Sequence, residues 1–291
     1  MKNAIILAAG TSSRFVPLSS EYPKGLLEVK GEVLIERQIK QLQEAGIFDI
    51  TIVLGYMAEK FLYLSKKFGV KLVVNEDYNK YNNTSSIIKV IDILDNTYIC
   101  SSDNYFPQNV FIENATDSYY SALYAKGETK EYCLVINKED YINKVTIGGK
   151  DSWYMIGHVY LNSEFSKKFQ NIMLSEYLLD STKLEYWEDV YIRHINELPK
   201  MKIHRYSDNE IHEFDTIDEL RQFDVSYVND TRSVILKRIC KELCINECEI
   251  YGFLQNKHEG NYLDFNFNVG NAVYRYCNLN GEYIEKLCKQ L

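Results

Sequence analysis

No apolar run in the 291 residues approaches the ~20 that a membrane-spanning helix needs, so no membrane role is expected. Basic charge is also in short supply. The 33 Lys and Arg stand against 41 Asp and Glu, a net charge of −8, and nucleic-acid binding calls for a basic face. No nucleic-acid partner is expected, and any phosphate site must be local. Cys-x-x-Cys pairs are absent from the seven cysteines, Cys100, Cys133, Cys240, Cys244, Cys248, Cys277 and Cys288. Cys240, Cys244 and Cys248 would share a helix face if the helix ran that far, and three thiols could suggest a metal. No fourth ligand stands nearby, which favours reduced thiols in a cytoplasmic chain. The apolar stretch after Lys2 ends at Ala9, short of a signal-peptide core. No internal repeat is found. The 24 tyrosines, abundant alongside Asn, Ile and Lys, have a bland explanation in an AT-rich genome.

Strand and helix signals alternate over the first 105 residues. Ala4–Leu7, Ile50–Leu54, Lys71–Val74 and Tyr98–Ser101 read as buried strands, while 34–45, 58–68 and 84–94 carry helical spacing. This alternation predicts a largely parallel sheet covered on both faces, with ligands beyond the carboxyl ends of its strands. Gly10 and Asp103 both stand at such ends. From Ser121 the pattern changes to shorter strands at Cys133–Ile136, Lys144–Ile147 and Tyr154–Leu161. Helices near Glu164–Leu174 and Leu184–Glu197, a strand at Lys202–Arg205 and a closing helix at Thr216–Phe223 follow. Tyr227–Thr231 is polar and reads as a boundary. Beyond it, Ser233–Leu243 is helical, and Tyr262–Val269 with Ala272–Tyr276 across Gly270-Asn271 gives a hairpin signal.

Chemistry concentrates in Ala4–Lys24, where a buried strand opens into the small-residue loop Ala8-Ala9-Gly10, followed by Arg14 and Pro23-Lys24. Backbone N–H groups of Ala9 to Ser13 can approach phosphates closely. Arg14 can fork onto phosphate oxygens and Lys24 can act as a point charge. An ordinary strand-loop-helix turn would account for Gly10 alone, but not for the whole spacing Ala-Ala-Gly-x3-Arg-x8-Pro-Lys, which points to a nucleoside triphosphate. Asp103 follows a buried strand, where a carboxylate is costly unless paired or metal-bound. Mg²⁺ prefers one or two carboxylates plus phosphate oxygens, and a helix-capping Asp is the plainer alternative.

The stretch LAAGTSSRFVPLSSEYPKGLLEV resembles the signature LAAGxGxRxxPxxxxxPKxLxxV of the superfamily that makes nucleoside-diphosphate sugars and related activated alcohols, with Ser12 in place of the second Gly. Ile52-Val53-Leu54-Gly55-Tyr56, Val74-Asn75-Glu76, Tyr78, Asn82-Asn83, Ser85 and Ser102-Asp103-Asn104-Tyr105 narrow the resemblance to bacterial CTP:phosphocholine cytidylyltransferases over roughly residues 1–225. The resemblance implies a Rossmann-like three-layer α/β/α nucleotidyltransferase fold with a mostly parallel mixed sheet. It implies a domain over 1–228 that transfers CMP from CTP to phosphocholine or a close amino-alcohol phosphate, using Mg²⁺.

By resemblance, Arg14 and Lys24 contact the triphosphate. Leu7, Ala8, Ala9, Gly10, Thr11, Ser12, Gly55, Asn82, Asn83, Ser85 (or Ser86) and Ser102 meet the nucleotide. Asp103 matches the metal-binding aspartate. The second carboxylate comes from Tyr186-Trp187-Glu188-Asp189, where Glu188 takes the ligand position and Asp189 stands one residue later; a solvated acidic helix edge is the plainer reading of this cluster. Tyr132, usually Trp, together with Tyr186 and Trp187 resembles an aromatic cage for the acceptor's cation. Asp215 lies near the active site in relatives, with a helix N-cap role for Asp215 or Thr216 as the alternative. Tyr in place of Trp keeps phosphoethanolamine and 2-aminoethylphosphonate open as acceptors. A sugar-phosphate nucleotidyltransferase and a non-catalytic nucleotide-binding module are the readings from other classes. Residues 229–291 form a small C-terminal α+β appendage. Ile235–Leu243, Gly260-Asn261-Tyr262 and Ala272–Tyr276 faintly resemble the start of a choline-kinase small lobe. With no room before Leu291 for a catalytic loop, no kinase activity is expected.

Overall fold

The computed structural model describes residues 1–256 and 262–287; Cys288 and the Gly260-Asn261 pair lie outside the described residues. The chain divides into two compact units: Met1–Gly10 with Val33–Glu213, and Thr11–Glu32 with the chain from Phe214 onward.

The larger unit is built on a seven-stranded mixed sheet. Its strand order is Lys202–Arg205, Tyr119–Ile136, Ile142–Leu161, Asn96–Ser101, Lys2–Ala8, Asp49–Leu54, Lys71–Val74. The last four run parallel, with Ile5 opposite Thr51 and Ile99. Alternation along these β-branched strands sends Ile5, Val53 and Ile99 to one face, where they join a core with Phe165, Phe169, Met173, Trp187, Val190 and Tyr191. Intervening residues Ile6, Ile52 and Cys100 are equally buried, so both faces are covered. The helix Leu34–Glu44 forms where Leu34, Ile35, Ile39 and Leu42 recur at helical spacing and bury. No helix among the described residues is long and apolar enough to cross a membrane.

Two expectations need correction here. The short strands at 133–136, 144–147 and 154–161 are parts of one long antiparallel hairpin, Tyr119–Ile136 with Ile142–Leu161. Its middle is polar and solvated, and irregular pairing at Ala125/Glu128 and Thr129/Tyr132 interrupts the period-2 signal that marks a half-buried strand. The helix expected at 184–197 is shorter, Trp187–Arg193, and a separate turn of helix, Asp180–Lys183, precedes the expected range. Tyr186 N donates to Asp189 Oδ2 at 3.0 Å, which starts Trp187–Arg193 afresh.

The smaller unit holds the helices Ile217–Phe223, capped by Thr216, and Val234–Leu243, capped by Ser233. Its antiparallel sheet runs in the order Ile250–Gln255, Asp264–Val269, Ala272–Cys277, Tyr283–Leu287. The hairpin expected across Gly270-Asn271 is present, with Val269 opposite Ala272 and Gly270 at φ 56°. The segment 227–231, expected as a polar boundary, is packed: Tyr227 and Thr231 are buried, and the Tyr227 hydroxyl donates to the Glu28 carbonyl at 2.7 Å. The helix that would have aligned three thiols stops at Leu243. Cys244 takes a left-handed φ of 54° and is exposed, as is Cys248. Among the described residues no group of three or more His, Cys, Asp and Glu is placed to hold a metal.

Ser12, where the signature has glycine, sits in the left-handed region at φ 51°. A Cβ there costs about 1 kcal/mol, partly offset by the flexibility a glycine brings to the unfolded chain. Ser12→Gly should therefore stabilise the protein by roughly 0.5 kcal/mol, read as a shift in the urea midpoint at unchanged slope.

Candidate active site

Within the larger unit, Asn83 is the hub of one cluster. The Asn82–Ser86 turn is tied to a segment a hundred residues on. Asn82 N donates to the Lys183 carbonyl at 2.9 Å, and the Thr84 hydroxyl to the Thr182 carbonyl at 3.0 Å. Asn83 Oδ1 accepts from Trp187 N at 2.7 Å and its Nδ2 donates to Glu188 Oε2 at 3.4 Å. Ser85 is fully buried, its hydroxyl donating to the Asn82 carbonyl and accepting from Asn75 Nδ2 at 2.8 Å. It shapes the turn from inside.

The two acidic candidates of this cluster differ sharply. Asp189 has both oxygens committed: Oδ1 accepts from the Tyr132 hydroxyl at 2.7 Å and Oδ2 from Tyr186 N at 3.0 Å. Glu188 accepts from the Tyr120 hydroxyl at 3.2 Å on Oε1 and from Asn83 on Oε2. Burial pushes Glu188 up to about 7, opposed by those hydrogen bonds and reinforced by the neighbouring Asp189 charge. The Tyr132 hydroxyl is pushed up by burial, by its bond to Asp189 and by the charges of Asp189 and Glu188. Tyr186 is exposed. Tyr132 and Tyr186 thus stand beside two carboxylates.

Trp187 does not join them. It is 1% exposed, stacked on Tyr120 at 6.1 Å and edge-on to Phe169. The expectation that it lines the acceptor is corrected: the residue is a core anchor that fixes the start of its helix. Tyr120, which sequence reasoning missed, reaches Glu188 from the core. It is buried and bonded to Glu188, and the charge of Glu213 adds to the forces that raise its phenol.

Asp103 lies in the turn after Asn96–Ser101. Its Oδ1 accepts from the Ser101 hydroxyl at 2.6 Å and from Asn104 Nδ2 at 3.1 Å. Gln38, reaching from the helix Leu34–Glu44, donates to the carbonyls of Ser101 and Asn104 at 2.8 and 2.9 Å and fixes this turn. Asn104 pairs with Glu213 across a two-stranded ribbon, and its buried Oδ1 has no partner. These hard oxygen donors fit a divalent cation. Ser102 N continues the parallel ladder to the Leu7 carbonyl at 3.1 Å. Ala8 and Ala9 are buried at the strand end and Gly10 is exposed. A Cβ on Gly10 would meet nothing within 4 Å, so packing does not demand glycine there.

The smaller unit carries the loop cations. Arg14 Nη1 lies 2.7 Å from Asp215 Oδ2, and Lys24 Nζ lies 3.7 Å from Oδ1. Lys24 is buried, beside the Phe15 ring, whereas Arg14, like Thr11, is exposed. Thr216, not Asp215, caps the following helix. In this structure Asp215 is the counter-ion of the two expected phosphate ligands.

A family model described as MobA-like NTP transferase domain matches residues 4–140. The choline-phosphate cytidylyltransferase of Streptococcus pneumoniae is 33% identical over 227 residues, 78% of this chain and 99% of that one. The chain belongs to the choline-phosphate cytidylyltransferase family of nucleotidyltransferases. The 2-aminoethylphosphonate cytidylyltransferase of Lancefieldella rimae is 34% identical over 235 residues, covering 79% of this chain and 95% of that relative. A solved structure of the CTP:phosphocholine cytidylyltransferase from S. pneumoniae superposes with a TM-score of 0.74 over 76% of this chain and 96% of that one, at 33% identity. The mixed sheet is thus the family's nucleotidyltransferase fold, and the chain is a cytidylyltransferase-type enzyme. About a fifth of the chain lies outside these matches.

Proposed function

We propose that the chain transfers CMP from CTP to a small phosphorylated amino alcohol, phosphocholine foremost, with release of pyrophosphate. The observation that carries this reading is Tyr132, whose hydroxyl is bonded to Asp189 and feels the charge of Glu188. Aromatic faces and carboxylates together suit a cationic headgroup, at about 0.5–2 kcal/mol per good ring contact. Arg14 and Lys24 take the triphosphate, and the open space around Gly10 admits a nucleotide against the backbone.

Asp103 and Glu188 would hold Mg²⁺, since the hydrogen bonds on Glu188 are long, 3.2 and 3.4 Å, against 2.7 and 3.0 Å on Asp189. When bound, the ion would neutralise charge on the α-phosphate and on the acceptor phosphate. An acceptor phosphate oxygen attacks the α-phosphorus in line; one P–O bond forms as the bond to pyrophosphate breaks. The acceptor is already ionised, so no strong general base and no covalent enzyme intermediate are needed, and the side chains contribute positioning.

A second reading is 2-aminoethylphosphonate or phosphoethanolamine as acceptor. Tyr132 stands where relatives usually carry Trp, and the carboxylates beside it can accept hydrogen bonds that only a primary ammonium can give. A pyrophosphate-release screen decides, crossing the four nucleoside triphosphates with phosphocholine, phosphoethanolamine, 2-aminoethylphosphonate and sugar 1-phosphates. Release is expected with CTP and one of the first three; its absence with all three overturns the proposal.

A pH dependence follows. Because burial pushes Glu188 up to about 7, the side chain is neutral below that pH and regains its cation-holding charge as pH rises through it. The Mg²⁺ concentration for half-maximal rate should rise about tenfold per pH unit below 7. Glu188→Gln should abolish that slope, as checked by Mg²⁺ titrations of initial rate between about pH 5.5 and 8.5.

A further inference from the structure

We infer that the segment from Phe214 onward is a positioning element for the triphosphate loop, and that Glu21 is the residue through which it acts. The inference rests on the reading of Arg14 and Lys24 as triphosphate ligands. Glu21 closes the short helix Leu18–Glu21, and so stands between those two cations in the chain. Its carboxylate does not face solvent alone. Oε1 accepts from the Ser233 hydroxyl and from Ile235 N at 3.2 Å, and Oε2 accepts from Val234 N at 2.9 Å. These groups form the N-terminus of the ten-residue helix Val234–Leu243, where backbone N–H groups lack intrahelical partners and an anion is favoured.

The rest of the loop is anchored to the same segment. Lys30 N donates to Asp224 Oδ2 at 2.7 Å, and the Glu28 carbonyl accepts from both Tyr227 and Arg232. Ser13–Phe15 packs against the strand Ile250–Gln255, and Phe15, Val16 and Leu18 are buried. The segment is itself braced: Arg221 donates to the carbonyls of Glu247 and Ile250, and the Glu247 carboxylate accepts from Thr231. Both cations are therefore carried on a loop whose shape is set by residues about 200 positions later. Relatives are matched over 94–99% of their own length by 75–79% of this chain, so part of this chain's scaffold goes beyond what they share. Coupling of this kind is reciprocal: the helix Val234–Leu243 should sense occupancy of the loop.

The test uses the full chain with Glu21→Gln and Glu21→Ala. In ligand-free protein, amide hydrogen exchange across residues 11–24 should quicken about tenfold in Glu21→Ala and less in Glu21→Gln, which keeps one acceptor oxygen. KM for CTP should rise about tenfold while kcat and the acceptor KM stay within about twofold. In the wild type, saturating CTP should slow exchange across 234–243. Lys202→Ala, which removes the 2.7 Å pair with Asp117 in the larger unit, should move none of these. Unchanged loop exchange in both Glu21 variants overturns the inference. So does a fall in kcat that tracks a lower melting temperature with no selective change in KM for CTP. If Glu21→Ala does not fold, Glu21→Gln alone decides by the same readouts. Should the loop loosen as described while no triphosphate binds to the wild type, the positioning role stands and the triphosphate assignment fails.

Discussion

Asp103→Ala should cut turnover by about a thousandfold, the loss of roughly 4 kcal/mol of transition-state stabilisation, while leaving the fold intact. The carboxylate sits in a turn whose backbone is fixed by others: Gln38 holds the carbonyls on both sides, and Ser102 N is bound to Leu7. Among the groups the substitution frees are the Ser101 hydroxyl and Asn104 Nδ2, at a cost of about 1 kcal/mol. A thermal melt and CTP binding without metal should therefore change little, whereas single-turnover CMP transfer should collapse. A protein that only binds nucleotide would show the opposite pattern, with weaker affinity and no turnover to lose.

Two glycines at neighbouring strand ends should answer to alanine in opposite ways. A Cβ on Gly55 would stand 2.6 and 2.7 Å from Cβ and Cγ of Tyr78 and 2.8 Å from the Ala9 carbonyl oxygen. That carbonyl accepts from Tyr56 N at 3.1 Å and cannot retreat without giving up the bond. Gly55→Ala should cost about 3 kcal/mol through overpacking and backbone displacement, lowering the melting temperature by roughly 6–12 °C. Gly10→Ala meets no protein atom within 4 Å and should leave the melting temperature unchanged while weakening CTP binding about tenfold or more, because under the proposed function the added methyl fills space the nucleotide would take. Calorimetric melts paired with CTP titrations read both effects. Equal destabilisation by the two substitutions would contradict the distinction between a packing glycine and a ligand glycine.

Sequence legibility followed burial only in part. Leu34–Glu44 was readable within one residue because its apolar positions face a core, whereas Lys71–Val74 and Lys202–Arg205 were readable to the residue although they are only partly buried. The long hairpin was not, since its central residues alternate on a solvated arm with little to bury. Asp103 was legible from elementary cost, a carboxylate at the end of a buried strand. Asn83 was legible only by resemblance, because its partners Trp187 and Glu188 lie more than a hundred residues away. Tyr120 carried no signal: one tyrosine among 24, its acidic partner 68 positions on. Trp187 shows the reverse failure. Resemblance placed it near the acceptor, yet its bulk is what the core between Tyr120 and Phe169 requires.

The anchoring of the loop has a consequence for the order in which the protein is made. Lys30 waits for a partner 194 residues downstream and Glu21 for one 213 residues downstream. On a growing chain the strand Lys2–Ala8 can find its sheet neighbours, Asp49–Leu54 and Asn96–Ser101, long before residues 11–32 find theirs. Contacts of such separation form slowly, so residues 11–32 take shape well after the strand they follow has found its place in the sheet.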